Sequence, residues 1–328
     1  MIIIRNKSRD PYFNLAAEEY LTDHLRDDVF MLWQNSKAVI IGKNQNAFAE
    51  LDRAFIDAHG IKVVRRLTGG GAVFHDIGNV NYTFITQKGE NSLNFERFCA
   101  PVIDALHELG VSAELTGRND IAADGMKVSG NAQCVRGERF IHHGTLLFDA
   151  DLGEMAGALR PDPLKLQSKG INSVRSRVAN LRPMLSEPLD TEGFIGFIER
   201  WVAEHSDITE VRDLTAEEVS GIRHLADTKY STWEWNYGES KGYSRRERRR
   251  FAFGTVEAEL EAAEGHIVSV HISGDFFGTR DIAELETLLV GARFEYGDIA
   301  VLLEVCGIGD FIAGASAEEI AALMIGRE

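Results

Sequence analysis

The chain is short of several things, and each shortage excludes something. Only three cysteines occur in 328 residues, Cys99, Cys134 and Cys306, with no CxxC pair among them. A disulfide framework is thereby excluded, and a reduced, cytoplasmic setting is expected. No apolar run approaches the ~20 residues of a membrane span. The opening Met1-Ile2-Ile3-Ile4-Arg5-Asn6-Lys7 meets charge too early to read as a signal peptide. Basic residues are the minority, 35 Lys+Arg against 51 Asp+Glu, a formal charge of −16. That balance argues against a nucleic-acid binder and leaves a small anion in a pocket open, because a local field governs a pocket. Neither a P-loop (Gly-x-x-x-x-Gly-Lys-Ser/Thr) nor a dinucleotide fingerprint (Gly-x-Gly-x-x-Gly) is found. Internal repeats and low-complexity segments are absent as well.

What is present suffices for a sizeable core. Hydrophobic residues make up 44% of the chain, and its length favours two domains. Ile2–Ile4 reads as a strand, followed by a helix from Asp10-Pro11 to about Leu25. Phe30–Trp33, Ala38–Ile41, Ala72–Phe74 and Val80–Ile85 read as strands, Phe95–Leu109 as a helix ended by Gly110. A strand-rich block runs from Asn119 to Phe148, turning at Asp124-Gly125 and Arg136-Gly137. Helices are expected near 192–205 and 215–227. After Gly238–Gly242 a second unit begins: Thr255–Glu261 alternates with acids on one face, Glu264-Gly265 turns, and Ile267–Ile272 returns. Helices near 279–290, 297–304 and 316–325 complete it. Strands and helices mix irregularly, so an α+β layer fold is expected over a doubly wound one. The run Arg245-Arg246-Glu247-Arg248-Arg249-Arg250 at the junction reads as a solvated linker edge, with a docking or interdomain contact as the alternative.

The densest signal is Arg65-Arg66-Leu67-Thr68-Gly69-Gly70-Gly71-Ala72-Val73-Phe74-His75-Asp76. Three glycines let backbone amides approach a ligand and take positive φ freely. Two arginines enter the turn and an apolar strand leaves it, which suits an anion carrying an apolar group. A plain hairpin turn is the ordinary alternative. Downstream, Gly117-Arg118-Asn119-Asp120 ends an extended segment and Lys127-Val128-Ser129-Gly130 follows. Lysine offers a compact point charge for phosphate or carbonyl oxygens, although a strand lysine is ordinarily solvent-facing.

Taken in order, these motifs resemble the lipoate–protein ligases. The resemblance covers Arg65–Asn79, Gly117–Asp120, Lys127–Gly130 and His142-His143-Gly144-Thr145-Leu146-Leu147. It continues through Lys169-Gly170-Ile171 with Ser173–Leu181, similar to that family's adenylate-binding loop, and Trp233–Gly238. The tail from about residue 246 resembles the family's accessory domain. The resemblance implies an α+β fold with a large catalytic domain of mixed and antiparallel sheets, biotin/lipoate-ligase-like, over 1–243, and a small α+β C-terminal domain over 244–328. It implies activation of lipoate by ATP, with magnesium, to lipoyl-AMP, and transfer to a lysine of a lipoyl domain. The acceptors would belong to 2-oxoacid dehydrogenase complexes or be the glycine-cleavage H protein; a monomer is the expected state.

By the same resemblance Lys127 is catalytic, contacting the lipoyl carbonyl and phosphate oxygens. Arg66 would sit by the bound anion or lipoyl group. The backbone of Gly70, Gly71, Ala72, Val73 and Phe74 would embrace the nucleotide, with Val73 and Phe74 partly lining an apolar tunnel. Asp120, Ser129, Arg175 and Val178 complete the expected adenylate site. Asp120 could act as a base, touch magnesium, or simply be a strand-end turn acid. His75, His142 and His143 lack metal-ligand spacing and are read as structural hydrogen-bonders. A same-fold acyltransferase working without ATP through a Cys134 thioester is the alternative, since Cys134 lies seven residues from Lys127. A non-catalytic lipoate carrier is the reading from another class.

Overall fold

A computed structural model describes residues 1–45, 47, 51–89, 94–159, 178–237, 245–263 and 265–327. The chain opens with β1 (Ile2–Arg5), α1 (Pro11–His24), β2 (Val29–Trp33) and β3 (Ala38–Ile41). It continues through α2 (Arg53–Ala58), β4 (Lys62–Arg65), β5 (Val73–His75), β6 (Asn79–Gln87) and α3 (Phe95–Glu108). Next come β7 (Ala113–Thr116), β8 (Asp120–Ala123), β9 (Met126–Arg136), β10 (Arg139–Leu147), α4 (Leu152–Ala158), α5 (Thr191–His205), β11 (Glu210–Asp213), α6 (Ala216–Leu225) and α7 (Trp233–Asn236). The C-terminal unit holds β12 (Arg245–Phe251), β13 (Gly254–Ala263), β14 (His266–Gly274), α8 (Ile282–Leu289), α9 (Tyr296–Cys306), α10 (Ile308–Phe311) and α11 (Ala317–Met324). The expected α+β class is observed.

An eight-stranded sheet in the order β11-β1-β2-β6-β10-β9-β8-β7 carries the larger part. β1 runs parallel to both β11 and β2, and the remaining pairs are antiparallel. Its central strands are covered on both faces: every residue of β2 is buried, as are the first eight of β6. Phe194, Ile198 and Val202 recur every fourth residue on α5 and pack with Phe98, Val102 and Leu106 of α3 over Phe30, Tyr82 and Phe84. Each such side chain contributes ~1.5–3 kcal/mol by leaving water. α1 covers the opposite face; Asp10 caps Tyr12 N there, and Pro11 fills a first-turn position that needs no N–H. A smaller sheet, β4-β3-β5, leads into and out of the glycine turn.

Several expectations are refined. Ala72 stays outside β5, which begins at Val73. The expected helix over 215–227 ends at Leu225 and widens into a π-turn over 226–230. That turn brings Lys229 Nζ and Tyr230 OH onto Glu19, each at 2.7 Å. β11, Glu210-Val211-Arg212-Asp213, has no apolar pattern to mark it as a strand; it is an edge strand held by pairing to β1. The arginine run is no linker. It forms β12, and its alternate residues meet the acidic face of β13: Arg246 reaches Glu257 at 2.6 Å and Glu259 at 3.3 Å. Arg250 reaches Asp275 at 3.0 Å. Among the described residues no helix is long and apolar enough to cross a membrane. The 238–242 junction, Glu264, and residues 169–177 with Arg175 lie outside the described residues.

Candidate active site

The glycine turn is held by the buried Arg66, and the neighbouring 42–45 segment by the half-buried Arg65. Arg66 Nη2 donates to the carbonyls of Gly69 and Gly71 at 2.6 and 2.9 Å, Nη1 to Ile40 at 3.2 Å, and Nε to Thr68 Oγ1 at 2.9 Å. Arg65 gathers the carbonyls of Gly42, Lys43 and Gln45 on Nη1, at 2.7–3.0 Å. Its Nε and Nη2 take Trp235 and Asn236 at 3.0 and 2.9 Å. Burial lowers both guanidinium pKa values to about 10, well above neutrality, so both remain cations. Gly70 has φ +91°, and a Cβ on Gly42 would stand 2.0 Å from the Gly70 carbonyl oxygen. The glycines are therefore needed for close approach of two backbones as well as for the turn.

Behind the turn lies a buried polar chain that the sequence did not announce. Thr68 Oγ1 meets His143 Nε2 at 2.8 Å, and His143 Nδ1 meets both Glu18 oxygens at 2.9 and 3.0 Å. Glu18 Oε1 accepts from Thr83 Oγ1 at 2.6 Å, and Thr83 Oγ1 accepts from Trp33 Nε1 at 2.9 Å. With Arg66 Nε donating to Thr68 and Trp33 Nε1 to Thr83, the donors converge on Glu18 from both ends: Nδ1 of His143 carries the proton given to Glu18, and Nε2 accepts from Thr68. Glu18, Thr68, Thr83 and Trp33 are thus positioning residues. Thr68 belongs to the glycine motif, and the Glu18-Glu19 pair in the otherwise apolar middle of α1 is the sequence signal for Glu18; nothing local marks Thr83 or Trp33. His143 and His75 serve as structural hydrogen-bonders. His75 Nδ1 accepts from Asn35 Nδ2 at 3.0 Å, and burial lowers its pKa to about 3.

Lys127 lies at the start of β9, opposite β8. Its Nζ is 2.7 Å from Asp120 Oδ1, with both side chains about one-third exposed. The pairing register shifts between Ile121 and Ala122, a bulge of the kind that re-aims side chains. The lysine lies over Gly130, where an added Cβ would come within 2.9 Å of Nζ. Val178 bridges to Lys127, and Ala179 N donates to the Lys127 carbonyl at 3.0 Å. The chain leaving the expected adenylate-binding loop therefore runs beside the lysine. Ser129 does not join it: this residue is fully buried and accepts from Asn131 Nδ2 at 3.3 Å. Val73 and Phe74 also part company, Val73 packing toward α1 and the main sheet and Phe74 lying in the cluster with Val39, Ile41 and Leu147. Alternation along β5 prevents both side chains from lining one tunnel.

The C-terminal unit reaches into this region through the segment after β14. Gly70 N donates to Phe276 O at 3.2 Å, and a Cβ on Gly70 would touch the Phe277 ring at 3.1 Å. The same ring lies 5.5 Å from that of Phe95 and 4.6 Å beneath the Arg118 guanidinium. Gly274 N donates to Asn44 O at 2.6 Å, and Lys43 pairs with Asp281 at 2.9 Å. Phe277 thus links the glycine turn to the turn between β7 and β8. Cys134 is buried, and desolvation raises its thiol pKa to about 12. The described residues hold no cluster of three or more His, Cys, Asp or Glu suited to a metal ion.

Residues 10–203 match the lipoyl protein ligase A/B catalytic domain, and residues 240–324 the bacterial lipoate protein ligase C-terminus. A lipoate–protein ligase of Bacillus subtilis (strain 168) is 41% identical over 325 residues, covering 97% of this chain and 98% of the relative. Lipoate–protein ligase A bound with ATP superposes with a TM-score of 0.64 at 27% identity, covering 72% of this chain and 98% of that one. For the fold alone, P. falciparum LipL1 in complex with lipoate gives a TM-score of 0.80 at 22% identity over 99% of both chains.

Proposed function

The chain belongs to the lipoate–protein ligase family, and from that premise we propose that it activates lipoate as lipoyl-AMP and passes the acyl group to a lysine of a lipoyl domain. In the first step a lipoate carboxylate oxygen attacks the α-phosphorus of ATP, and the bond to pyrophosphate breaks. In the second the acceptor amine attacks the lipoyl carbonyl; the amide forms and AMP leaves. The observation that carries this reading is the Lys127–Asp120 pair beside Val178, joined to the glycine turn through Phe277 and Arg118. Joining a carboxylate to a triphosphate brings anions together, and a fixed cation with backbone amides offsets the charge that develops. Lys127 is the proposed cation. Gly71 through Phe74 supply backbone to the nucleotide. Arg66, whose nitrogens are taken up by carbonyls and Thr68, acts by holding that backbone in place.

Asp120 is the proposed acceptor of the amine proton in the second step. Magnesium fits this site only as a partner of ATP, because Asp120 is a single carboxylate. Magnesium commonly rests on one or two carboxylates plus substrate phosphates. Residues 1–243 would form the catalytic domain and 244–328 the accessory one, in a monomer of the cytoplasm. Arg175 would belong to the adenylate-binding residues. The cysteine-thioester alternative fares worse: a buried thiol with pKa near 12 carries almost no thiolate at neutral pH.

The test is mass gain on purified lipoyl domains of dehydrogenase and H-protein type, with lipoate, with and without ATP. Lipoyl-sized gain dependent on ATP, retained in Cys134→Ala, is the expected result. Gain without ATP that is lost in Cys134→Ala would establish the thioester route in its place.

A further inference from the structure

We propose that Arg118 is a further catalytic residue of the adenylation step, its guanidinium receiving the charge of the departing pyrophosphate while the C-terminal tip holds it in place. The inference rests on the proposed adenylation. Both reactants are anionic, yet the cations around the described site are largely committed. Lys127 shares its charge with Asp120 at 2.7 Å, and Lys43 with Asp281 at 2.9 Å. The fork of Arg66 is spent on three carbonyls and Thr68, and that of Arg65 on five carbonyls. Arg118 differs. Among the described residues its one side-chain hydrogen bond is a long one, Nη2 to the Asp275 carbonyl at 3.3 Å; partial burial lowers its guanidinium pKa, while the charges of Asp275 and Asp120 act in the opposite direction.

Its position and support suit the role. Arg118 occupies the turn between β7 and β8, two residues before Asp120, the partner of Lys127. The guanidinium stacks on Phe277 at 4.6 Å, an arrangement that orients the plane while leaving the N–H edge available to phosphate oxygens. The Asp275 carboxylate is bonded to Arg250 at 3.0 Å, and it is the Asp275 backbone carbonyl that accepts from Arg118. Two β-sheet domains thus cooperate to present one cation. In the step itself the α-phosphorus gains a bond to the carboxylate oxygen and loses the bond to the bridging oxygen, whose electron pair departs with pyrophosphate. Arg118 donates N–H to that group and transfers no proton. Pyrophosphate takes no part in the second step, so Arg118 is needed for the first alone.

That asymmetry gives the experiment. Lipoate-dependent pyrophosphate–ATP exchange reads the first step, and transfer from supplied lipoyl-AMP to a lipoyl domain reads the second. Arg118→Ala is expected to slow exchange by about 10²–10³-fold while transfer stays within about threefold of wild type. Arg118→Lys, which keeps charge without the fork, should recover part of the exchange. Phe277→Leu, which removes the stacking platform, should fall between wild type and Arg118→Ala. Exchange within about threefold of wild type in Arg118→Ala would overturn the proposal. An equal fall in both steps, the mark of a structural role, would overturn it too. Absence of exchange in the wild-type protein would instead remove the adenylation reading, and this proposal with it.

Discussion

Replacing Lys127 by Met removes the ammonium and keeps an unbranched stem of similar length over Gly130. Two magnitudes follow, and they differ widely. The pair with Asp120 has side chains 36% and 32% exposed, and exposed ion pairs are worth ~0.2–1 kcal/mol. At ~2–4 °C per kcal/mol for a large domain, the melting temperature should fall by no more than about 4 °C. The main-chain bond from Ala179 N to the Lys127 carbonyl does not depend on the side chain. Catalysis is another matter. A cation about 4 Å from a developing negative charge is worth ~4 kcal/mol at an effective dielectric of 20, or about three orders of magnitude in rate. Asp120, left without its partner, adds repulsion in the same direction. Pyrophosphate–ATP exchange and thermal melting on the same preparation separate the two. Exchange within about threefold of wild type would refute the catalytic role, and a fall in melting temperature beyond about 8 °C would refute the claim that the pair is not structural.

Arg65→Lys should be costly although charge is kept. One ammonium cannot reach the five carbonyls that the fork serves across residues 42–45 and 235–236, and each carbonyl left buried and unpaired costs ~1–3 kcal/mol. A loss of about 2–4 kcal/mol in urea unfolding is expected; a change below about 0.5 kcal/mol would count against it. Acid sensitivity should arise at His75, whose folded pKa is lowered to about 3 from 6.5. Its neutral form stabilises the fold fully above pH 6.5. As pH falls below 6.5 the unfolded chain takes up the proton first, and about 2 kcal/mol is lost by pH 5. His142, pushed down by burial as well, acts with the same sign. Urea midpoints of His75→Gln against pH should therefore fall less steeply than wild type between pH 6.5 and 5, and equal slopes would exclude His75 as a source.

The hairpin of β13 and β14 and the helices α1, α3 and α5 were legible because period, caps and turn glycines all agree locally. Thr255–Glu261 alternates strictly, and Asp10-Pro11 opens a helix by rules that need no distant partner. β11 and β12 were not legible. Their residues carry no apolar period, and what makes them strands is a neighbour elsewhere in the chain, β1 for one and the acidic face of β13 for the other. The family and the glycine turn could be read from residue order, because the motifs lie within short stretches of sequence.

The buried chain from Arg66 to Trp33 could not. It joins residues 18, 33, 66, 68, 83 and 143 through donors and acceptors that meet only when α1, β2, β6 and β10 are assembled. Sequence alone determined which residue types enter the turn and that three glycines keep it open. Tertiary structure decided what those residues do: Arg65 and Arg66 frame backbone, Ser129 is buried away, and Arg118 is held on Phe277 beside the Lys127–Asp120 pair. The physical reason is that hydrogen bonds and ion pairs are fixed by distances of about 3 Å, and no spacing along the chain encodes a distance between strands that pair from opposite ends of it.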